Sequence, residues 1–215
     1  MQHHDDIGGL MDNKADENMD LRVSIEEDKL VYDGFYKVKM LKLKRKQFDG
    51  QWSRSYEREV VICRPAVVVL PYDPRQDKVV LIEQMRVGTI FDQPPPWLLE
   101  CVAGVVDREV SVDVLAKQEL LEETGLHCDK LEPVMRFWSS PGGSTEYMHG
   151  FYAKIDADNA GGIHGLSEEN EEIRSCVLTR KQAYDAIAQG RVADASTIVM
   201  LQWLQMSFEA LQKRD

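Results

Sequence analysis

The stretch Gly104-Val-Val-Asp-Arg-Glu-Val-Ser-Val-Asp-Val-Leu-Ala-Lys-Gln-Glu-Leu-Leu-Glu-Glu-Thr-Gly125-Leu126 changes its period halfway along. Val112, Leu115, Ala116, Leu120 and Leu121 make a helical apolar stripe over Val112 to Thr124, and Gly125 supplies the stop. Ahead of it, Trp97 to Val102 reads as a buried strand ending at Ala103-Gly104, entered through the stiff loop Pro94-Pro95-Pro96. Glu119, Glu122 and Glu123 lie at i, i+3 and i+4, so their carboxylates leave one side of the helix. Three like charges repel there, close to the helix end where the dipole disfavours negative charge. A bare acidic triplet of this kind is usually a solvated face. A hard dication would reverse the repulsion, because Mg²⁺ takes its shell from a few carboxylates, waters and substrate phosphates.

Working outward, Ala66 to Leu70 and Val79 to Ile82 are apolar, β-branched runs flanking the turn Tyr72 to Asp77. Further strands are predicted at Val134 to Trp138, Glu146 to Ile155 and Ile173 to Leu178, with Asn159 to Leu166 as a Gly-rich loop. Thr179 and Gln182 form a capping box for a helix ending near Gly190, and Ser196 to Lys213 is an amphipathic helix. Strands interleaved with helices indicate an α+β domain over 65–215, a mixed sheet between helical layers.

Toward the N-terminus, residues 1–20 read as a flexible acidic tail. Residues 21–64 read as a small antiparallel sheet. Phe35 to Lys44 alternates and shifts phase at Met40-Leu41, as a bulged strand would; Asp49-Gly50 is a hairpin turn and Ser55 to Cys63 the returning strand. Such a sheet is too thin to bury both faces and should dock on something larger.

The 215 residues carry a net charge of −11, which argues against wrapping nucleic acid. An acidic protein acting on an anionic phosphate must recruit cations. No run is long and apolar enough for a membrane span, and Met1 to Asp5 lacks the pattern of a signal peptide. Cys63, Cys101, Cys128 and Cys176 are scattered without metal-site spacing, as expected of reduced thiols in the cytoplasm. His127, His149 and His164 follow no ligand spacing and read as structural.

Taken whole, Gly104 to Leu126 resembles the Nudix box: Gly, five residues, Glu, seven residues, Arg-Glu-apolar-x-Glu-Glu-x-Gly-apolar. Gly104, Glu119, Leu120, Glu122, Glu123, Gly125 and Leu126 occupy their expected positions. Two positions depart, with Val110 in place of the first Glu and Gln118 in place of the Arg. The family pair is expected to brace the loop on the helix. Losing both partners leaves no orphan charge, and Glu109, one residue early, could take over part of the role.

The resemblance runs from about Tyr32 onward. Ser139-Ser140-Pro141-Gly142-Gly143, with Pro141 standing 16 residues after Gly125 and Glu146 following, looks like the marker of the branch that hydrolyses ADP-ribose. Gly165 to Ile173, with Glu168, Glu169, Glu171 and Glu172, looks like the acidic catalytic loop of that branch.

The resemblance implies an α/β/α Nudix sandwich that splits ADP-ribose into AMP and ribose 5-phosphate. It assigns metal binding to Glu119, Glu122, Glu123, Glu171 and the carbonyl of Ala103, for two or three Mg²⁺ ions with Mn²⁺ as an alternative. Glu122 would also serve catalysis directly, and Glu169 would be the general base. Arg58, Arg86, Pro141 and Glu146 would bind substrate, and Phe35 would stack on the adenine. The implied assembly is a homodimer with exchanged N-terminal sheets and no membrane partner. Rival readings are a GDP-mannose or other nucleotide-sugar pyrophosphatase, a non-catalytic ADP-ribose-binding protein, and a DNA-binding regulator. The acidic charge and the lack of a helix-turn-helix weigh against the last.

Overall fold

The structure, a computed structural model, describes residues 22–91, 96–106, 109–128, 131–166, 168 and 170–213. The expected tail therefore lies outside the described residues, as do Pro94 and Pro95. The chain divides into two compact units between Cys63 and Arg64.

The first unit is an antiparallel meander of β1 (Val23–Asp33), β2 (Lys37–Arg45) and β3 (Tyr56–Ile62). Its hairpin between β2 and β3 closes at Gly50, whose φ of 84° is the left-handed value that favours glycine there. The bulge expected at Met40-Leu41 is absent, because Met40↔Glu59 and Leu41↔Arg58 pair in unbroken register. The register shifts lie instead in β1, between Ile25 and Glu27 and between Leu30 and Tyr32. Each shift leaves one extra residue in β1, Glu26 and Val31, opposite a regular β2, whose two adjacent apolar residues Met40 and Leu41 therefore face opposite sides of the sheet.

The second unit holds an eight-stranded mixed sheet. In chain order its strands are β4 (Ala66–Asp73), β5 (Lys78–Met85), β6 (Trp97–Glu100), β7 (Val102–Val105), β8 (Leu131–Trp138), β9 (Tyr147–Lys154), β10 (Gly162–His164) and β11 (Ile173–Thr179). The main path is β10-β11-β5-β4-β9-β8, with β6 added to β5 and β7 to β4. Among the described residues only β4 and β9 pair in parallel. Helices α1 (Val112–Thr124), α2 (Arg180–Ala188) and α3 (Ala195–Gln212) cover the two faces.

Period-two alternation sends Val67 and Val69 to one face and Val68, Leu70 and Tyr72 to the other. The first pair packs with Leu115, Ala116 and Leu120 of α1, and the second set with Ala183, Met200 and Leu204 of α2 and α3. Every residue of β4 is buried, as befits a strand covered on both sides. The sequence reading of a mixed sheet between helices describes this architecture. The capping box at Thr179 and Gln182 is also formed.

Two elements differ from expectation. The Gly-rich segment Asn159 to Leu166 contains β10, which pairs with β11 at the sheet edge. Trp97 to Val102 is two strands rather than one, because the backbone N–H of Cys101 leaves the ladder and donates to Thr197 Oγ1 of α3 at 2.7 Å.

Candidate active site

That break opens the sheet. β4 and β5 pair only beside their turn, at Tyr72↔Val79 and Asp73↔Lys78. Beyond it β5 runs with β6 and β4 with β7, so the chain after Cys101 enters a fork in the sheet. Ala103 and Gly104 lie in the fork on β7, and α1 packs over its face.

Glu119 lies directly over Gly104: a Cβ added there would collide with the Glu119 carboxyl group. Glycine is required here for close approach. Glu123, one helical turn on, is only 4% exposed, and its Oε2 accepts a hydrogen bond from the Ala103 N–H at 3.1 Å. Burial pushes its carboxyl well up from the usual range; the Ala103 N–H opposes that rise, while the charges of Glu119 and Glu171 add to it. Arg86 lies close enough to act in the opposite sense. The structure thus brings Glu119, Glu123, Glu171, Ala103 and Arg86 to one place.

Glu171 reaches the site from the loop before β11. Gln84 Nε2 donates to its Oε1 at 2.7 Å, and Gln84 Oε1 is buried without a partner among the described residues. Glu122, half-buried, is tied to the same loop through its backbone, since its carbonyl accepts from the Gly165 N–H at 3.4 Å. Gly165 has a φ of 96° and backs onto the Glu171 carbonyl, so a side chain would be both strained and obstructed there. Glu169 lies outside the described residues.

Arg86 follows the end of β5, with its Nε donating to Glu100 Oε2 at 2.6 Å. Burial pushes the Glu100 carboxyl up, and Arg86 partly offsets that. Pro141 is exposed and Glu146 half-buried in the turn joining β8 to β9, where the Glu146 N–H donates to Ser144 Oγ at 3.0 Å. Phe35 and Arg58 belong to the first unit. Phe35 is in the turn between β1 and β2, 93% exposed and edge-on to Tyr36, and Arg58 lies over the Tyr56 ring.

The two departures from the box are accommodated differently. Val110 joins the apolar cluster beneath α1, whereas Gln118 Oε1 is buried without a hydrogen-bond partner among the described residues. Among the described residues, no three acidic, His or Cys side chains already form a closed metal cage. Glu119, Glu123 and Glu171 could hold a cation that completes its shell with water and phosphate oxygens, as a hard dication does. Gln84 and Glu100 were missed from the sequence; each matters only through strand pairing, and neither lies in a motif.

A Nudix domain model matches residues 63–199, which span the fork, α1 and the acidic loop. The chain belongs to the Nudix family. This Nudix chain is 40% identical over 190 residues to the ADP-ribose pyrophosphatase of Escherichia coli strain K12, covering 88% of the chain and 91% of that protein. It is 37% identical to the ADP-ribose pyrophosphatase of Haemophilus influenzae, covering 89% of each. It is 33% identical to the GDP-mannose pyrophosphatase of Cronobacter sakazakii, covering 87% of the chain and 97% of that protein. A solved structure described as an ADP compounds hydrolase shares the fold, with a TM-score of 0.69 at 21% identity over 88% of this chain and 96% of its own. The helix α1 is the Nudix helix, and it keeps its three glutamates.

Proposed function

We propose that the protein is a Mg²⁺-dependent hydrolase that splits the pyrophosphate bond of ADP-ribose into AMP and ribose 5-phosphate. The observation that carries this reading is identity of 40% to an ADP-ribose pyrophosphatase across nearly the whole chain, with the Nudix glutamates gathered at the fork. The donor set suits a hard dication: it is all oxygen, and the buried Glu123 carboxylate lies in the field of two more carboxylates. Glu119, Glu122, Glu123 and Glu171, with the Ala103 carbonyl, would hold two or three Mg²⁺ ions or, in their place, Mn²⁺. When bound, such ions polarise a phosphoryl oxygen and lower the pKa of water.

The chain's own groups do the rest. Glu169 accepts a proton from the attacking water. The water oxygen bonds to phosphorus as the bridging P–O bond breaks, and the leaving phosphate takes the electron pair. Arg58 and Arg86 bind the diphosphate, since a guanidinium fork matches phosphate oxygens. Phe35 stacks on the adenine, and Pro141 with Glu146 borders the substrate.

The same reading makes the protein a cytoplasmic homodimer with exchanged N-terminal sheets. Its cysteines are scattered as in a reducing compartment, and none of the described residues up to Cys63 is buried. A GDP-mannose pyrophosphatase is the second reading, favoured by the relative at 33% identity. Turnover of ADP-ribose and GDP-mannose, with and without Mg²⁺, tests both. Mg²⁺-dependent release of AMP from ADP-ribose at the higher kcat/KM is expected; preference for GDP-mannose would favour the second reading, and binding without turnover a sensor.

A further inference from the structure

We propose that Glu100 is a positioning residue that grips Arg86 through Nε, leaving the two terminal nitrogens of the guanidinium to the substrate diphosphate. The inference rests on the reading that Arg86 contacts that diphosphate. Ile82, Gln84 and Arg86 alternate onto one face of the chain, and Glu100 pairs with Ile82 across the β5–β6 ladder, hence on the same face. The Glu100 side chain is 8% exposed and that of Arg86 41%, so the carboxylate that grips is buried while much of the arginine side chain faces solvent.

Both partners are held from behind. The Arg86 N–H donates to the Pro96 carbonyl at 2.8 Å, and its own carbonyl accepts from Thr89 Oγ1 at 2.8 Å. Glu100 directly precedes Cys101, whose N–H is anchored on Thr197. Because guanidinium is planar, one short bond at Nε restricts its plane and leaves the rest of the donor fork available. Glu100 also competes with the acidic side of the site. The charge of Arg86 is felt at Glu123, so a released guanidinium would be drawn to the carboxylates instead of waiting for phosphate.

The test measures Kd for α,β-methylene ADP-ribose, together with kcat and KM, in the parent protein, Glu100→Gln, Arg86→Ala and the double variant. Glu100→Gln keeps the shape and removes the charge. It should weaken binding about 5- to 20-fold, with a larger change in KM than in kcat. In the Arg86→Ala background the same change should cost less than about twofold, because its target is gone. Glu100→Asp, which keeps the charge but cannot reach as far, should also weaken binding and guards against a folding defect in the first variant. An unchanged Kd in Glu100→Gln, or equal effects with and without Arg86, overturns the inference while leaving the assignment of Arg86 standing. Normal binding by Arg86→Ala would overturn that assignment and this inference with it.

Discussion

Glu123 carries its carboxylate into a position 4% exposed, where burial above all, then Glu119 and Glu171, hold its pKa well above the ordinary value. A carboxyl raised in the folded state binds more protons there than in the unfolded chain. Cation-free stability therefore falls as pH rises above the unfolded value of about 4.3. Glu123→Gln should raise the urea midpoint of the cation-free protein at pH 8, with the gain disappearing toward pH 4. Either Glu119→Gln or Glu123→Gln should cut kcat at least ~10²-fold, and near-normal turnover would show that these two carboxylates do not serve catalysis. Gly104→Ala tests the site by displacement, since the added methyl meets the flexible end of Glu119. The unfolding midpoint should shift little while kcat drops by at least ~10-fold; full activity would show that Glu119 can work from elsewhere. At the altered box positions, Val110→Glu and Gln118→Arg should each cost roughly 1–4 kcal/mol, and together well below the sum. Strict additivity in urea midpoints would show that the two positions do not touch.

Among the elements, the turn between β4 and β5 is organised by one buried carboxylate. Asp73 is fully buried; its Oδ1 accepts from the Arg75 and Gln76 N–H groups and its Oδ2 from the Ala157 N–H. Burial alone would raise its pKa, but these three donors and the Arg75 guanidinium outweigh it and leave the carboxyl below its ordinary value. A depressed carboxyl stabilises the fold above its unfolded pKa of about 3.9, and that contribution is lost as pH falls through the lower folded value. Asp73→Asn should lower stability at pH 7 by about 1–3 kcal/mol and flatten the loss of stability below pH 4. An unchanged acid limb in urea titrations would contradict this. The helix α1 and the capping box of α2 were legible because periodicity, a stop glycine and a Thr-x-x-Gln pattern act within a few residues. The break at Cys101 was not, because its cause is Thr197, far along the chain. β10 was hidden by Gly161 and Gly162, whose positive φ values and missing side chains conceal a short edge strand. At the site, the box glutamates could be read, while the grips of Gln84 on Glu171 and Glu100 on Arg86 depend on strand pairing.

For the whole molecule, the proposed exchange of N-terminal sheets has a direct test. Mixing an Arg58→Ala chain with a Glu119→Gln chain should recover roughly a quarter to a half of wild-type activity per verified heterodimer, if each site draws on both chains. No recovery would indicate sites built from single chains. The large sheet has a separate consequence for self-association. Its path ends on one side in β10, only three residues long, and on the other in β8, which carries Pro133 and a register shift beside it. A three-residue rim offers little backbone to a newcomer, and a proline with a local kink spoils the docking of a long flat strand. The two outer rims thus offer poor footing to another chain, which places a brake on edge-to-edge growth of a ribbon from the ends of this sheet.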